Sequence, residues 1–202
     1  MGARCERVVG LACDAYMRGD PAGVLLVEQL DERIDRDELE IHALILRILA
    51  LRHPVADDLR FLAMAIRLIT DLERIGDEAI NITERIVKQD GEVKSLVGGD
   101  LGAMVGAARD MLHEALEALV NADAEAAEQV LGRDDGVDRA CASVIARATA
   151  HMSRNPAEVL AGLRVIRVAK YLERIADHAT NVAEQVIFMV RGDDVRHGQW
   201  RR

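Results

Sequence analysis

The stretch YLERIADHATNVAEQV (Tyr171–Val186) governs the interpretation of the whole chain, because a near copy precedes it. That copy is DLERIGDEAINITERI (Asp71–Ile86). Eight of the thirteen positions from Leu72 to Glu84 recur identically 100 positions later. Helical packing constrains mainly apolar residues, yet Glu, Arg, Asp and Asn recur as well. The repeat therefore predicts two similar structural units that share a polar function.

The apolar residues of both copies fall on one face when they are placed on a helix at about 100° per residue. That face comprises Leu72, Ile75, Ala79, Ile82 and Ile86 in the first copy and Leu172, Ile175, Ala179, Val182 and Val186 in the second. The alternating three- and four-residue spacing is typical of a seam that faces a helical core. Both copies are therefore predicted to be core-facing helices.

The composition favours an all-α protein and limits the possible functions. Half of the 202 residues are apolar and 30% are charged, whereas aromatic residues make up only 2%. Such an aliphatic, aromatic-poor mixture suits helices better than strands. The formal net charge of −9 argues against a nucleic-acid partner, because phosphate contacts need clustered Lys and Arg. An acidic chain is better suited to cation binding or to solubility alone.

Cysteine usage and hydropathy predict a cytoplasmic protein that does not insert into membranes. The three cysteines (Cys5, Cys13 and Cys141) are odd in number and show no CxxC spacing, which indicates a reducing compartment. The N-terminus lacks the pattern of a signal peptide. The most apolar window, FLAMAIRLIT, is interrupted by Arg67 and is too short to span a bilayer.

Helix start and stop signals divide the chain into two tandem three-helix bundles. The predicted helices are 3–18, 22–52, 55–89, 100–121, 124–153 and 156–191. The breaker-rich stretch KQDGEVKSLVGGDLG separates the third helix from the fourth. The predicted organisation is a first unit at 1–92, a linker at 93–99, a second unit at 100–192 and a disordered tail at 193–202.

Carboxylates recur four residues apart on the second and third helices of each unit. The pairs are Asp31 with Asp35 and Glu73 with Asp77, followed by Asp134 with Asp138 and Glu173 with Asp177. Asn81 and Asn181 continue the spacing of the third and sixth helices and are candidate additional residues of the polar face. Like charges at this spacing destabilise an isolated helix, and a hard cation would remove the repulsion. The eight carboxylates are therefore predicted metal ligands.

Other functions fit the residues less well. A metal-free helical adaptor with acidic interaction faces remains open, because solvated acidic faces are common on helices. A ferritin-type di-iron site would need Glu-x-x-His pairs, and the chain contains none. A phosphotransfer module would need an exposed histidine. The candidate is His178, but the equivalent position of the other repeat is Glu78, so the chemistry of this histidine is not repeated. The serines lack a nucleophile motif, so no catalytic residue is predicted.

The sequence resembles the PhoU family of bacterial regulators of phosphate uptake. The resemblance lies in ALRHPVADDLRFLAMAIRLITDLERIGDEAINITERI (Ala50–Ile86) and in GLRVIRVAKYLERIADHATNVAEQVIFMVRG (Gly162–Gly192). With the Asp-x-x-x-Asp segments it covers nearly the whole chain.

The resemblance implies a non-enzymatic cytoplasmic regulator that has no organic cofactor and is often a homodimer. The expected partners are the ATPase subunit of the phosphate ABC transporter and a phosphate-sensing histidine kinase, which the regulator holds in its repressing state. The resemblance also implies metal ions, either iron or another hard cation such as manganese or magnesium, on the eight carboxylates named above.

Overall fold

The computed structural model describes residues 1–86 and 91–195, and all regular structure within them is helical. The all-α fold predicted from the sequence is therefore confirmed. The α-helices are α1 (Gly2–Arg18), α2 (Val24–Arg52), α3 (Ala56–Thr83), α4 (Gly91–Asn121), α5 (Ala124–Leu131), α6 (Asp134–Arg154) and α7 (Val159–Arg191). Short 3₁₀ turns, Pro21–Gly23 and Pro156–Glu158, precede α2 and α7.

The predicted single helix 124–153 is wrong, because the structure divides it into α5 and α6. Asp123 caps α5 by accepting hydrogen bonds from the N–H groups of Glu125 and Ala126, both at 3.0 Å. The helix then ends at Gly132, a residue of low helix propensity. Because α6 starts afresh at Asp134, that carboxylate lies in a first turn, where the helix dipole favours negative charge.

Residues 93–99, predicted as a linker, instead lie within α4. Their glycines are poor helix formers, but tertiary packing outweighs that preference. Val97, Leu101 and Met104 recur at helical spacing and are fully buried. Gly98 and Gly99 face open space on the other side of the helix. The apolar stripe therefore determines the local structure here, not the glycines.

Helices α3 and α7 pack antiparallel at the centre of the molecule. Contacts between them run from Arg85 with Tyr171, through Glu78 with Arg174, to Asp71 with His178. The remaining helices pack around this pair: α1 and α2 lie against α3, and α4, α5 and α6 lie against α7. Each helix of the sequence repeat is thus the inner helix of its own unit.

The predicted core seams of α3 and α7 are confirmed, whereas that of α2 is confirmed only in its first half. Leu72, Ile75, Ala79 and Ile82 of α3 and Leu172, Ile175, Ala179, Val182 and Val186 of α7 are buried. Ile86, the last predicted member of the first seam, follows the end of α3 and is only partly buried. On α2 the same spacing predicts an inner stripe of Val27, Leu30, Ile34, Ile41, Leu44 and Ile48, and its first three members are buried too. Further along, Ile45 is buried while Leu44, predicted to face the core, is exposed.

The exposure of Leu44 reflects a difference between the two units. In the second unit the early turns of α4 lie over α6, where Arg147 reaches the Asp100 carboxylate (2.5 Å) and also contacts the Leu96 carbonyl. The corresponding surface of the first unit leaves Leu44 and Phe61 at least half exposed. The two units therefore have a similar arrangement of helices, but a surface that α4 covers in the second unit is left exposed in the first.

The predicted tail, 193–202, is described by the structure only in part. Residues 193–195 of the predicted tail follow α7 without regular structure, and Val195 is buried. Residues 196–202 and 87–90 lie outside the described residues. Across the described chain, no helix combines the length and the apolar composition needed to cross a lipid bilayer.

Two leucines on α7 test the assignment of the core. Leu172 is fully buried and Leu163 is 46% exposed. Leu172→Ala is expected to lower the free energy of unfolding by about 2–5 kcal/mol, because it leaves a cavity. Leu163→Ala is expected to change it by about 0.5 kcal/mol or less. Urea denaturation followed by circular dichroism measures both, and equal losses would contradict the assigned inner face of α7.

Candidate metal centres

The first carboxylate cluster consists of Asp31 and Asp35 on α2 with Glu73 and Asp77 on α3. Partial burial raises the pKa of Asp31 to about 6, and the charges of Asp35 and Asp77 add to the effect. Burial also raises the pKa of Glu73, as do the charges of Asp77 and Asp35. The four predicted ligands therefore lie close enough to repel one another across the α2–α3 interface.

Asp31 is the least satisfied member of the first cluster. Its Oδ1 is buried and has no hydrogen-bond partner among residues 1–86 and 91–195. It lies against the backbone of α3, since a Cβ built on Gly76 would come within 2.6 Å of this oxygen. Glycine at position 76 thus makes room for the carboxylate. A buried oxygen without a donor is costly, and a cation would remove that cost.

The second carboxylate cluster consists of Asp134 and Asp138 on α6 with Glu173 and Asp177 on α7. One carboxylate oxygen from each of the three aspartates lies within 4.8 Å of the other two. Burial raises the pKa of Asp177 to about 6, and the charges of Asp134 and Asp138 reinforce the shift. The pKa of Asp134 is raised by burial and by Asp138. Three oxygens this close together could be shared by one ion.

The fourth member of the second cluster has a cationic neighbour. Lys170 Nζ lies 2.9 Å and 2.6 Å from the two carboxylate oxygens of Glu173. In addition, Thr180 donates a hydrogen bond of 3.3 Å to Asp134 Oδ1. These contacts partly compensate the second cluster from within the protein. The first cluster has Thr70 and Ile80 at the equivalent positions and leaves Asp31 Oδ1 unpaired.

Asn81 and Asn181, the two candidate additional residues, hydrogen-bond to acidic residues of the α3–α7 contact instead of to the clustered carboxylates. Asn81 Nδ2 donates a 3.3 Å hydrogen bond to Glu78 Oε2. Asn181 Nδ2 donates a 3.0 Å bond to Asp71 Oδ1. Their recurrence in the sequence therefore coincides with the contact between the two units, a separate task from that of the clusters.

Sequence reasoning missed three residues that act on the clusters. The charge of Glu38 raises the pKa of Glu73, and Lys170 and Thr180 contact the second cluster. A helical signal existed for each. Glu38 follows Asp35 by three residues, Lys170 precedes Glu173 by three and Thr180 follows Asp177 by three, and this spacing places side chains on one helix face.

The donor set of both clusters suits a hard cation. All eight predicted ligands are carboxylates, which Mg²⁺, Mn²⁺, Ca²⁺ and oxidised iron prefer to nitrogen or sulfur donors. Each cluster joins two helices, so that an ion would replace repulsion between the helices with attraction. The unpaired Asp31 oxygen and the convergent aspartates of the second cluster both fit such an ion.

The fold and the two sites together define a class: tandem helical bundles with one acidic cluster in each unit. A family model described as "PhoU domain" matches residues 1–86 and again residues 101–186. The chain therefore belongs to the PhoU family, as its sequence resemblance indicated. Each match covers one copy of the internal repeat.

Individual relatives agree along the full length of the chain. A "Phosphate-specific transport system accessory protein PhoU homolog" from Pseudomonas putida is 37% identical over 198 residues, which are 98% of this chain and 77% of the relative. The homolog from Burkholderia sp is 34% identical, over 98% and 85% of the two chains.

Solved structures show the same fold. The crystal structure of PhoU from Pseudomonas aeruginosa superposes with a TM-score of 0.90 at 32% identity, over 96% of this chain and 93% of the other. The phosphate transport system regulatory protein PhoU from Streptococcus pneumoniae gives a TM-score of 0.86 at 23% identity, over 96% and 91%. The latter likeness concerns the fold alone.

The raised pKa of Asp177 predicts how stability depends on pH in metal-free protein. The folded state holds this proton more tightly than the unfolded state does. Stability is therefore lost as the pH rises from the ordinary value of 3.8 through about 6. Asp177→Asn removes that loss and is expected to raise the free energy of unfolding at pH 7 by about 1 kcal/mol, after allowance for solvent screening.

Urea denaturation with chelator present, at pH 7 and near pH 4, measures this effect. The gain should shrink as the pH falls, because the wild-type carboxyl is then protonated as well. Glu40→Gln, at an exposed position of α2 outside the clusters, is the matched control and should change little. A gain of the same size at both pH values would contradict the electrostatic explanation.

Proposed function

We propose that this chain is a negative regulator of phosphate uptake and phosphate-starvation signalling, with metal ions bound on its two carboxylate clusters. The observation that carries the proposal is the PhoU family match over both units. Relatives that this chain matches over most of their length are named as accessory proteins of phosphate-specific transport systems. The role in phosphate transport follows from that relationship.

The proposed partners are the ATPase subunit of the phosphate ABC transporter and a phosphate-sensing histidine kinase. In this proposal the chain acts in the cytoplasm, as a homodimer, and couples the two partners by binding. It carries out no reaction itself. High external phosphate keeps the kinase in its repressing state, and loss of the regulator releases that repression.

The metal part of the proposal rests on the geometry of the clusters. Asp31, Asp35, Glu73 and Asp77 would hold the first ion, and Asp134, Asp138, Glu173 and Asp177 the second. The ion would be iron, manganese or magnesium, and it would supply positive charge between two helices, not catalysis. The convergent oxygens of the second cluster, all within 4.8 Å of one another, support this role.

A metal-free adaptor with acidic interaction faces is the second candidate. It is favoured by the Lys170 contact, since a lysine bonded to both oxygens of Glu173 already compensates part of the charge. In this case a partner would recognise the acidic faces directly. The two candidates differ in the metal content of the purified protein.

Metal analysis of protein purified without chelator distinguishes them. The triple substitution Asp134→Asn, Asp138→Asn and Asp177→Asn is expected to abolish binding at the second cluster, because neutral amides are weak ligands of hard cations. Mass spectrometry should show a stoichiometric loss relative to wild type, with an unchanged helical circular dichroism signal. Glu40→Gln should retain the full metal content. Metal-free wild type would favour the adaptor, whereas a triple variant with undiminished metal would show that the ion does not bind at the second cluster.

A reporter of the phosphate-starvation response tests the regulatory role in the source organism. Deletion of the gene is expected to activate the reporter in high phosphate, because the kinase is no longer repressed. Restoring the wild-type gene should silence it again. A reporter that stays silent after deletion would show that this chain does not carry the proposed regulation.

A further inference from the structure

A groove at the junction of the two units has a chemistry that the carboxylate clusters do not explain. It encloses about 330 Å³ between α3 and α7. Arg67, Thr70, Asp71 and Arg74 line it from the first unit and Gln185 from the second. The groove thus combines two arginine side chains of the first unit with hydrogen-bond acceptors from both units.

Gln185 is the first sign that the groove is built for a ligand. This side chain is only 5% exposed, yet its buried Oε1 has no hydrogen-bond partner in the part of the chain that the structure describes. Buried polar groups are nearly always paired in native proteins. Rotation of the amide would turn this unsatisfied acceptor from the interior towards the groove, where a donor from outside the chain would satisfy it.

The two arginines are the second sign. Within residues 1–86 and 91–195, neither Arg67 nor Arg74 has a carboxylate oxygen at ion-pair distance. Arg74 acts on the first carboxylate cluster only through its charge, which lowers the pKa of Asp77. Both guanidinium groups therefore retain donors for an anion.

At the equivalent position of the other unit, the polar side chains bond to other residues of the chain. There the repeat replaces Asp71 by Tyr171 and Gln185 by Arg85, and Arg85 Nη2 lies 3.3 Å from the tyrosine hydroxyl. Arg174, the counterpart of Arg74, pairs with Glu78 at 3.2 Å. Arg174 is thus paired within the protein, whereas its counterpart Arg74 has no ion-pair partner among the described residues.

The groove also contains carboxylates, and they restrict the kind of anion that fits. Asp71 Oδ1 lies 2.9 Å from His178 Nδ1 and accepts a hydrogen bond from Asn181. Glu184, which also lines the groove, makes interactions of its own. A fully deprotonated anion such as sulfate would meet these acceptors without a proton to offer. A protonated oxyanion can bond to arginines and acceptors together.

We propose that this groove binds inorganic phosphate in its hydrogenphosphate form. Arg67 and Arg74 bind the phosphate oxygens, and Gln185, with its amide rotated so that Oε1 faces the groove, accepts a hydrogen bond from the P–OH group. At neutral pH inorganic phosphate always carries such a proton, whereas sulfate carries none. The volume exceeds that of one phosphate ion, and water fills the remainder. The proposal rests on the groove and does not require metal in the clusters.

Equilibrium dialysis of the full chain with labelled inorganic phosphate at constant ionic strength tests the proposal. Binding is expected at about 1 mM phosphate or below. Sulfate should compete at least about tenfold more weakly, because it offers no donor to Gln185. The double substitution Arg67→Gln and Arg74→Gln should weaken binding about tenfold or more. Gln185→Met should reduce the preference for phosphate over sulfate.

Arg167→Gln is the matched control, since Arg167 is the repeat equivalent of Arg67 on the exposed surface of α7. It should leave phosphate binding unchanged. The triple-asparagine variant of the second cluster should also bind phosphate normally, which separates this proposal from the metal proposal. Circular dichroism verifies that each variant is folded.

Four results would overturn the assignment. The first is no binding at about 1 mM phosphate, and the second is equal competition by sulfate. The third is a folded double-arginine variant that binds like wild type. A phosphomonoester that competes more strongly than phosphate would also overturn it, because the ligand would then be an organic phosphate.

Discussion

The antiparallel packing of α3 against α7 is the contact on which the rest of the structure depends. Each helix turns its apolar stripe towards its own unit, where Leu72 and Leu172 are buried. The edges that meet between the units are polar: Asp71 contacts His178 and Asn181, and Arg174 contacts Glu78. A polar contact of this kind fixes register, because a shift along the helices would leave buried groups unpaired.

This central pair also sets the positions of both carboxylate clusters. Glu73 and Asp77 lie on α3 beside α2, and Glu173 and Asp177 lie on α7 beside α6. Each cluster spans two helices, so its carboxylates repel one another across the interface between them. Burial of the apolar faces keeps the two helices packed despite this repulsion. The protein thereby maintains carboxylates whose pKa values reach about 6. An arrangement that stores repulsion in this way is suited to a cation or to a cationic partner.

Divergence between the repeats gives the two halves different chemistry on the same scaffold. Lys170 and Thr180 contact the second cluster, whereas the first cluster contains the unpaired Asp31 oxygen next to Gly76. At the junction, Tyr171 and Arg85 contact each other where their counterparts, Asp71 and Gln185, line a groove. The internal repeat thus allows one unit to be compared with the other. At each of these two places, one copy has hydrogen-bond partners that the equivalent groups of the other copy lack among the described residues.

The sequence by itself determined the helical class, the duplication and the identity of the clustered carboxylates. Helical periodicity is a local property, so the buried faces of α3 and α7 and the i, i+4 carboxylate pairs could be read directly from residues such as Leu172 and Asp177. Local signals failed where long-range packing prevails. The glycines near residue 98 predicted a linker, but burial of Val97 and Leu101 makes it helix.

Only the tertiary structure decided which polar residues meet. Asn81 and Asn181 share the spacing of the carboxylates, yet Asn181 bonds to Asp71 across the α3–α7 interface, and Asn81 bonds to Glu78 on its own helix, which pairs with Arg174. The groove at Gln185 was equally invisible, since its walls come from segments more than 100 residues apart. Contacts between distant segments depend on how helices are oriented against one another. Periodicity within one helix carries no information about that orientation.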